Sequence, residues 1–497
     1  MLTIGDTITT ASNRPQRPGL APSLVFIGLV TAVLGSLGAP LVPTVAGSEP
    51  VSYVAAQWTR TVSMLAGAVT TPVFGKLGDG PRRKTVVLVA LSIVLAGCVL
   101  AALPTGFFGL LAGRALQGFG IGLTALVIGV ANEAFEGMRA RAIAGLLSVT
   151  TVAGVGIGYP LAGLATHLWG LPGAYTSGAV VVGAALVAGA LALPSSSRKK
   201  PVRTDILGAV LLAVAVGGLL FAVSQAATDI ARVWVVAAAA LGVVVGAIWV
   251  WWELWTAEPL VQLRLLRIPA VLAADVAMLL GGVGIYVLIS VAIRLVQTPT
   301  SSGYGFGASV ITAGLMLTPF SATAFIASRT IPPLVRRRHG NLLLPAACGL
   351  VLLCLVAFAF LHGSLLQVFV VMTIAGYGVG ALYAATPGFI VRSAPPGTTT
   401  SAMSFNLVLT TIGGAIGSAL SALVLQAATA HETAIPSGHG YVVAAFVGAG
   451  VLAVAALLSY RSARALTTSE PTSPSSPNRK RSHEPARYAH AGRIAPP

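Results

Sequence analysis

The stretch Gly75–Lys84 reads GKLGDGPRRK and separates two apolar runs, residues 53–75 and 85–104. Each run has the length of about 20 apolar residues that a membrane-spanning helix needs. The stretch itself places one acid, Asp79, among four basic residues, and its glycines permit a tight turn. This pattern predicts two membrane helices joined by a cytoplasmic loop. The loop is either a gate whose acid changes partners between conformations or a positive loop with an incidental acid.

Similar apolar runs continue along most of the chain. Of the 497 residues, 56% are hydrophobic and 9% are charged, and the mean hydropathy is +0.88. Soluble domains carry about 25% charged residues, so this chain lacks the polar surface that water requires. The runs also lack the alternation of a transmembrane β-barrel, which leaves an all-α integral membrane protein. Fourteen spans are predicted, near residues 23–46, 53–75, 85–104, 106–130, 142–166, 172–194, 205–226, 231–252, 269–296, 308–329, 341–361, 364–386, 401–427 and 441–460.

The distribution of basic residues supports this count. With the N-terminus in the cytoplasm, 26 of the 30 lysines and arginines fall in inward-facing segments or tails, as the positive-inside rule requires. The net charge of +17 is therefore attributed to topology and not to nucleic-acid binding. We expect a multi-pass protein of the bacterial cytoplasmic membrane with both termini in the cytoplasm.

The spans divide into six, two and six, which indicates two similar bundles with an inserted helix pair. A tail rich in Ser, Pro, Thr and Arg follows the last span and has too little apolar surface to fold. The predicted segments are a cytoplasmic N-terminal tail (1–22), a first six-helix bundle (23–194), a basic linker with the inserted pair (195–268), a second six-helix bundle (269–460) and a disordered cytoplasmic tail (461–497).

The fourth span contains an arginine deep in the membrane. Arg114 lies about eight residues into the helix, roughly 12 Å from its start at 1.5 Å per residue. An arginine at that depth costs at least ~2.5 kcal/mol unless it finds a partner or a water-filled cavity. We expect it to line a transport route, and the alternative is structural pairing with a carbonyl group.

The fifth span reads GVGIGYPLAG over Gly154–Gly163. Glycines four residues apart allow neighbouring helices to approach closely, and Pro160 weakens the backbone hydrogen bonding. Taken alone, this stretch indicates a packing surface.

Together, the three stretches resemble signatures of the major facilitator superfamily. The loop is similar through Gly75, Leu77, Asp79, Arg83 and Lys84; the fourth span through Arg114, Gln117, Gly118 and Gly120; and the fifth through Gly154, Gly158, Pro160 and Gly163. Fourteen spans with an extra central pair resemble the drug:proton antiporter branch.

This resemblance implies alternating access between two six-helix bundles, commonly driven by protons. The loop would act as a conformational latch, with Asp79 facing the N-terminal end of the thirteenth span near residues 399–401. Arg114 and Gln117 would belong to the proton-coupling region and cavity, and the glycine motif of the fifth span would bear on the direction of antiport. The chain departs from the pattern at Gly80 and Arg82 of the loop.

A further departure lies in the first span. Many fourteen-span exporters carry an acid there, but Gly35 stands near that position in this chain. Asp275, about six residues into the ninth span, is a candidate proton carrier, since desolvation favours its protonated form. The alternative is an interfacial acid that reaches water or pairs near Arg267. Arg60 and Arg294 lie near the outer ends of their spans, where we expect long side chains to snorkel to water; the alternative is selection of an anionic or polar substrate.

These observations predict a secondary transporter that exports a small amphipathic compound, such as a drug or antibiotic, in exchange for protons. Uptake or uncoupled facilitated transport is the first alternative, and a non-transporting membrane sensor is the second. The sequence contains neither an intramembrane catalytic set nor a Walker-type nucleotide loop. We therefore expect no enzyme activity, cofactor or metal, and a monomer whose partners are its substrate, protons and lipid.

Overall fold

The computed structural model describes residues 19–36, 38–78, 81–135, 137–194, 205–226, 232–335, 342–393, 399–429 and 435–468. Within these ranges the chain is almost entirely α-helical. The helices are α1 (Leu20–Ser36), α2 (Gly38–Ser48), α3 (Tyr53–Gly78), α4 (Arg83–Ala102), α5 (Gly106–Ala134), α6 (Gly137–Ala192), α7 (Ile206–Gln225), α8 (Arg232–Trp255), α9 (Pro269–Gln297), α10 (Val310–Val335), α11 (Leu343–Phe360), α12 (Leu365–Ser393), α13 (Thr399–Ala427) and α14 (Gly438–Thr468).

Most of these helices are suited to a membrane. In the described part of the chain, eleven helices are long and apolar enough to cross one, and the count is twelve if the bent pair α1 and α2 forms one span. The prediction of an all-helical, multi-pass membrane protein is thereby confirmed. The predicted total of fourteen spans is not reached by this criterion and stays a prediction.

Two interruptions have clear local causes. The axes of α1 and α2 differ by 52°. Gly35 and Gly38 flank the junction between the two helices, and Pro43 lies inside α2. Helix α6 is broken at Gly170, whose backbone has φ 69° and ψ −172°. A positive φ of this kind suits glycine because it has no Cβ, and Pro172 begins the helix that follows.

The buried apolar residues form three clusters. The first joins α1 to α6 and contains, for example, Leu24, Leu91 and Leu126. The second joins α9 to α14 with a contribution from Tyr159 of α6. The third connects α3, α7 and α13 and includes Met64.

Two helix pairs hold the two halves together: α3 packs on α13, and α6 packs on α10. In the first pair, the second long helix of the first half meets the fifth long helix of the second half. In the other pair, the fifth meets the second. The α6–α10 contact is close because glycines lie on both sides of it. A methyl group at Gly163 would lie 2.8 Å from the Val310 carbonyl oxygen, and one at Gly314 would lie 3.1 Å from the backbone nitrogen of Pro160.

The end of the chain differs from the prediction. Helix α14 continues to Thr468, so the first residues of the predicted disordered tail, 461–468, are helical. Arg464 stacks on the ring of Tyr460 one turn earlier, with its guanidinium carbon 4.9 Å from the ring centroid, and arginine is a good helix former. Residues 469–497 and 1–18 lie outside the described residues.

We predict that Gly163→Val destabilises the protein, because the new side chain collides with the backbone of α10. Overpacking of this kind typically costs ~1–3 kcal/mol. The matched control is Gly183→Val on the same helix, where a methyl group would meet nothing within 4 Å. Thermal unfolding in detergent should show a lower midpoint for Gly163→Val alone. Equal midpoints would contradict the close α6–α10 contact.

Candidate functional site

Arg114 is buried inside the first half. Only 1% of the residue is exposed. Its Nε donates to the Thr59 carbonyl oxygen on α3 at 3.1 Å, and its Nη1 donates to Oε1 of Gln117. Gln117 in turn donates from Nε2 to the Gly97 carbonyl oxygen on α4 at 3.2 Å. The two residues thus link three helices through a chain of hydrogen bonds. Arg114 therefore pairs with a backbone carbonyl, as the alternative for this residue expected.

The bend between α1 and α2 makes room for this guanidinium. A methyl group at Gly38 would collide with Nη2 of Arg114, whereas one at Gly35 would meet nothing within 4 Å. Gly35 occupies the position at which an acid was expected from the family resemblance. The position that matters for Arg114 is therefore Gly38, which lets the α2 backbone approach the arginine.

The basic residues of the 75–84 loop region bind backbone carbonyls. Arg83 is buried and donates from Nη1 to Gly129 on α5 at 3.1 Å. Lys84 donates to Ala190 in the last turn of α6 at 2.7 Å, a favourable place for a cation. Both contacts stay within the first half. Gly75 is half-buried in α3. Asp79, the acid of the predicted latch, lies outside the described residues.

Lys76 makes a different contact. Its Nζ donates to the carbonyl oxygen of Glu258 at 2.5 Å, in the segment that leads from α8 into the second half. Glu253, in the last turn of α8, is 1% exposed and accepts from the Val261 amide at 3.1 Å. Asp205 caps α7 and accepts from the indole of Trp252 at 2.8 Å. This polar cluster fastens the inserted pair beside α3.

The glycine motif of α6 faces two helices. A methyl group at Gly154 would lie 2.9 Å from the Leu29 carbonyl oxygen of α1. One at Gly158 would collide with the Ser36 hydroxyl of the same helix. Gly163 faces α10 instead, and half-buried Pro160 lies at the turn between the two contacts. Gly154 and Gly158 therefore pack α6 against α1 of its own half, and Gly163 packs it against α10 of the other half.

Asp275 is fully buried in α9, with an exposure of 0%. Its Oδ1 accepts a hydrogen bond from Nδ2 of Asn406 on α13 at 2.8 Å. Its Oδ2 is buried without a hydrogen-bond partner among the described residues. The alternative of an interfacial acid that reaches water is wrong, because the carboxyl is enclosed between α9 and α13. Arg114 and Asp275 are thus held by different helices in different halves.

Arg60 contradicts the prediction that it snorkels to water. It is 5% exposed, and its Nη1 donates to the Ser290 hydroxyl of α9 at 3.1 Å. Its guanidinium carbon lies 4.7 Å from the ring centroid of Tyr286. The side chain turns toward the other half because a hydroxyl and an aromatic face are available there and absent in lipid.

Arg60 belongs to a polar stripe along one face of α3, at positions 53, 57 and 60. Tyr53 lies under the guanidinium of Arg294 at 3.9 Å. Gln57 donates from Nε2 to the Ser418 hydroxyl of α13. Each residue of the stripe contacts the second half, and sequence reasoning missed this surface. Its signal was present as an i, i+4, i+7 spacing of polar side chains in an apolar run.

Three tyrosines lie near one another, and one of them contacts Arg60. The ring of Tyr286 on α9 lies under the Arg60 guanidinium, and Tyr159 of α6 is close enough for the charge of Arg60 to act on it. Tyr383 of α12 is a neighbour of both Tyr159 and Tyr286. These residues come from four helices of both halves, and together with Ser290 they form what we call the Arg60 cluster. The sequence offered only isolated tyrosines in apolar spans, which are too common to single out.

An all-helical fold of membrane-spanning helices in two packed halves, with charged side chains buried between and within them, defines a polytopic membrane protein. The sequence model described as the Major Facilitator Superfamily matches residues 24–205 and 276–493. The chain therefore belongs to the Major Facilitator Superfamily. The residues between the two matched ranges contain α7 and α8.

Relatives agree at the level of the family, and a solved structure agrees in fold. An uncharacterised MFS-type transporter of Mycobacterium tuberculosis is 30% identical over 68% of this chain, which spans 48% of that relative's length. The multidrug efflux pump LfrA of Mycolicibacterium smegmatis is 24% identical over 86% of this chain and 85% of its own. The crystal structure of an auto-inhibited POT family peptide transporter superposes with a TM-score of 0.61 at 17% identity, covering 93% of this chain and 99% of that one.

We predict that Asn406→Leu is more destabilising than the double change Asp275→Leu with Asn406→Leu. The single variant leaves a buried carboxyl with no described partner, and leaving a buried polar group unsatisfied costs about 1–3 kcal/mol. Removing both groups avoids that penalty. Thermal unfolding of the purified variants measures the difference. A double variant as unstable as the sum of both single variants would contradict the pairing.

Proposed function

We propose that the protein is a secondary active transporter that exports a small amphipathic compound or drug in exchange for protons. It works by alternating access in a bacterial cytoplasmic membrane, with both termini in the cytoplasm, and as a monomer. The proposal places it in the drug:proton antiporter branch of its family. The relative named as a multidrug efflux pump, which aligns over most of both chains, supports the direction and the substrate class.

The arrangement of the two halves supports alternating access. Each half has its own apolar core, and the contacts between them run along the pairs α3–α13 and α6–α10. Two separately packed bodies with a shared seam can rock as rigid units, since well-packed cores do not deform continuously. We propose the predicted bundles, 23–194 and 269–460, as these bodies, with 195–268 inserted between them.

The length of α6 supports fourteen spans. Its 56 residues would extend for roughly 84 Å at 1.5 Å per residue, whereas a hydrocarbon core is about 30 Å thick. The break at Gly170 divides it into two spans. Helix α3 adds another span, because its 26 residues are long enough and its polar stripe is covered by the second half.

The single observation that carries proton coupling is the half-paired carboxyl of Asp275. One oxygen is bonded to Asn406 and the other is buried without a described partner. An unpaired buried charge is costly, so this group is stabilised by binding a proton while it is enclosed. When rocking of the halves moves α3 away from α13 and lets water reach Asp275, the charged form is stabilised and the proton leaves. Asp275 thereby takes the place of the acid that the first span lacks.

We assign supporting roles to the family motifs. Arg114 and Gln117 fix α5 against α3 and α4 beside the cavity, so that movement of one helix is transmitted to the others. Gly154, Gly158, Pro160 and Gly163 set the contact of α6 with α1 and α10. The loop with Gly75, Asp79, Arg83 and Lys84 serves as the latch at the cytoplasmic end, where Arg83 and Lys84 anchor it to the first half.

The experiment compares wild-type protein with Asp275→Asn in proteoliposomes that carry an imposed proton gradient. The panel of probes is ethidium, norfloxacin and naphthalenesulfonate, followed by fluorescence. Wild type should accumulate at least one probe, and an uncoupler should abolish the accumulation. Asp275→Asn should lose gradient-driven accumulation but keep exchange of labelled for unlabelled probe, because the enclosed neutral side chain no longer cycles a proton.

Matched controls complete the test. Gly183→Val changes a side chain on α6 that meets nothing within 4 Å and should behave as wild type. Accumulation that survives the uncoupler would favour uncoupled transport. Gradient-driven accumulation by Asp275→Asn at the wild-type rate would contradict the assignment of the proton carrier.

A further inference from the structure

The Arg60 cluster is an unusual environment for a cation. Arg60 is 5% exposed and sits about seven residues into α3, roughly 10 Å from its start at 1.5 Å per residue. A guanidinium has five N–H donors, and among the described residues only Nη1 has a hydrogen-bond partner, Ser290. No described carboxylate contacts it. Its positive charge is therefore balanced only by a hydroxyl and by aromatic faces.

Tyr383 is the exposed member of the cluster. This residue is 38% exposed, and its electrostatic neighbours are Tyr159 and Tyr286, of which Tyr159 is 5% exposed. We take its exposed surface to border a cavity between the halves, beside the Tyr286 ring that the Arg60 guanidinium contacts.

We infer that the cavity binds an amphipathic organic anion, whose acidic group contacts Arg60 and whose ring packs among Tyr159, Tyr286 and Tyr383. The inference rests on the proposed transport function and names its substrate class. Charge and shape both support it: a guanidinium binds carboxylates and sulfonates in a two-point fork, and phenol rings stack on flat apolar groups.

The contact with Ser290 gives the anion a reason to bind in one conformation. Ser290 belongs to α9 and Arg60 to α3, so opening of the seam separates them. The guanidinium then loses its hydrogen bond and the Tyr286 face together. A buried arginine needs another partner in that state, and an anion in the cavity supplies one. Binding of the anion is thereby linked to the opening of this seam.

A purely structural role for Arg60 makes a different prediction. If the arginine only ties the two halves together, removing it alters stability and affects all probes equally. If it binds an acidic group, removing it affects anions selectively. A comparison of probes that differ only in charge separates the two roles.

The experiment measures binding to purified full-length protein in nanodiscs of uncharged phosphatidylcholine, by isothermal titration calorimetry. The probes are naphthalenesulfonate and naphthylmethylammonium, which share a ring and carry opposite charges. The variants are Arg60→Gln, Arg60→Lys and the control Arg329→Gln, an exposed arginine of α10. Thermal unfolding of each variant shows that it is folded.

We expect wild type to bind the sulfonate at least about tenfold more tightly than the ammonium, which corresponds to one charge-assisted contact. Arg60→Gln should weaken the sulfonate by about tenfold or more without changing the ammonium, Arg60→Lys should fall between, and Arg329→Gln should match wild type. The wild-type comparison stands even if Arg60→Gln does not fold.

Several results overturn the inference: no sulfonate binding to wild type, equal or tighter binding of the ammonium, or equal loss of both probes in Arg60→Gln. These outcomes are separate from failure of the proposed function. Proton-driven accumulation of ethidium without sulfonate binding would leave the transport proposal intact and overturn only the substrate class. Sulfonate binding without proton-driven transport would do the reverse.

Discussion

A membrane helix that carries polar side chains must find partners for them away from lipid, because the hydrocarbon core offers none. Helix α3 carries Tyr53, Gln57 and Arg60 on one face, and every one of them contacts the other half of the molecule. The association of the halves therefore depends on polar contacts with specific geometry. When the seam opens, these polar groups can bind water or substrate in place of each other. Apolar side chains in the same place could make no such replacement contacts.

The inserted pair, α7 and α8, packs against the same seam through α7. Helix α7 packs along α3 and α13 through the third apolar cluster, so it covers the junction from one side. Lys76 ties the end of α3 to Glu258, in the segment that connects the pair to the second half. The inserted pair consequently contacts α3 on one side and leads along the chain into α9 on the other. Its polar cluster of Asp205, Trp252 and Glu253 keeps α7 and α8 moving together.

Much of the fold could be predicted from the sequence, because membrane spans are read from apolar length alone. The position of Arg114 deep within its span could be predicted, since depth follows from the rise of a helix; that it lines a transport route stays a prediction. Its partners could not be predicted, because Thr59 contributes only a backbone carbonyl and Gly38 only the absence of a side chain. These depend on how helices distant in sequence pack, and apolar patterning does not specify such pairings.

The candidate site was harder to predict for the same physical reason. Arg60 was expected to snorkel because position along a span gives depth but not direction. Whether a side chain turns toward lipid or toward a neighbouring helix depends on Ser290 and Tyr286, more than two hundred residues later in the chain. Asp275 was identified from its residue type, yet only the contact with Asn406 explains why it is enclosed. Asp79 remains a prediction, because it lies outside the described residues.

The most direct test of the account is a reversible cross-link across the α3–α13 seam. Cysteines at Gln57 and Ser418 are joined by a short reducible cross-linker, in a background in which Cys98, Cys348 and Cys354 are replaced by alanine. A cysteine pair at Thr323 and Thr373, which join two helices of one half, is the control. We predict that cross-linking the seam stops transport of the panel compounds and that reduction restores it, while the control pair has no effect. Transport at the full rate with the seam cross-linked would contradict the rocking of two halves.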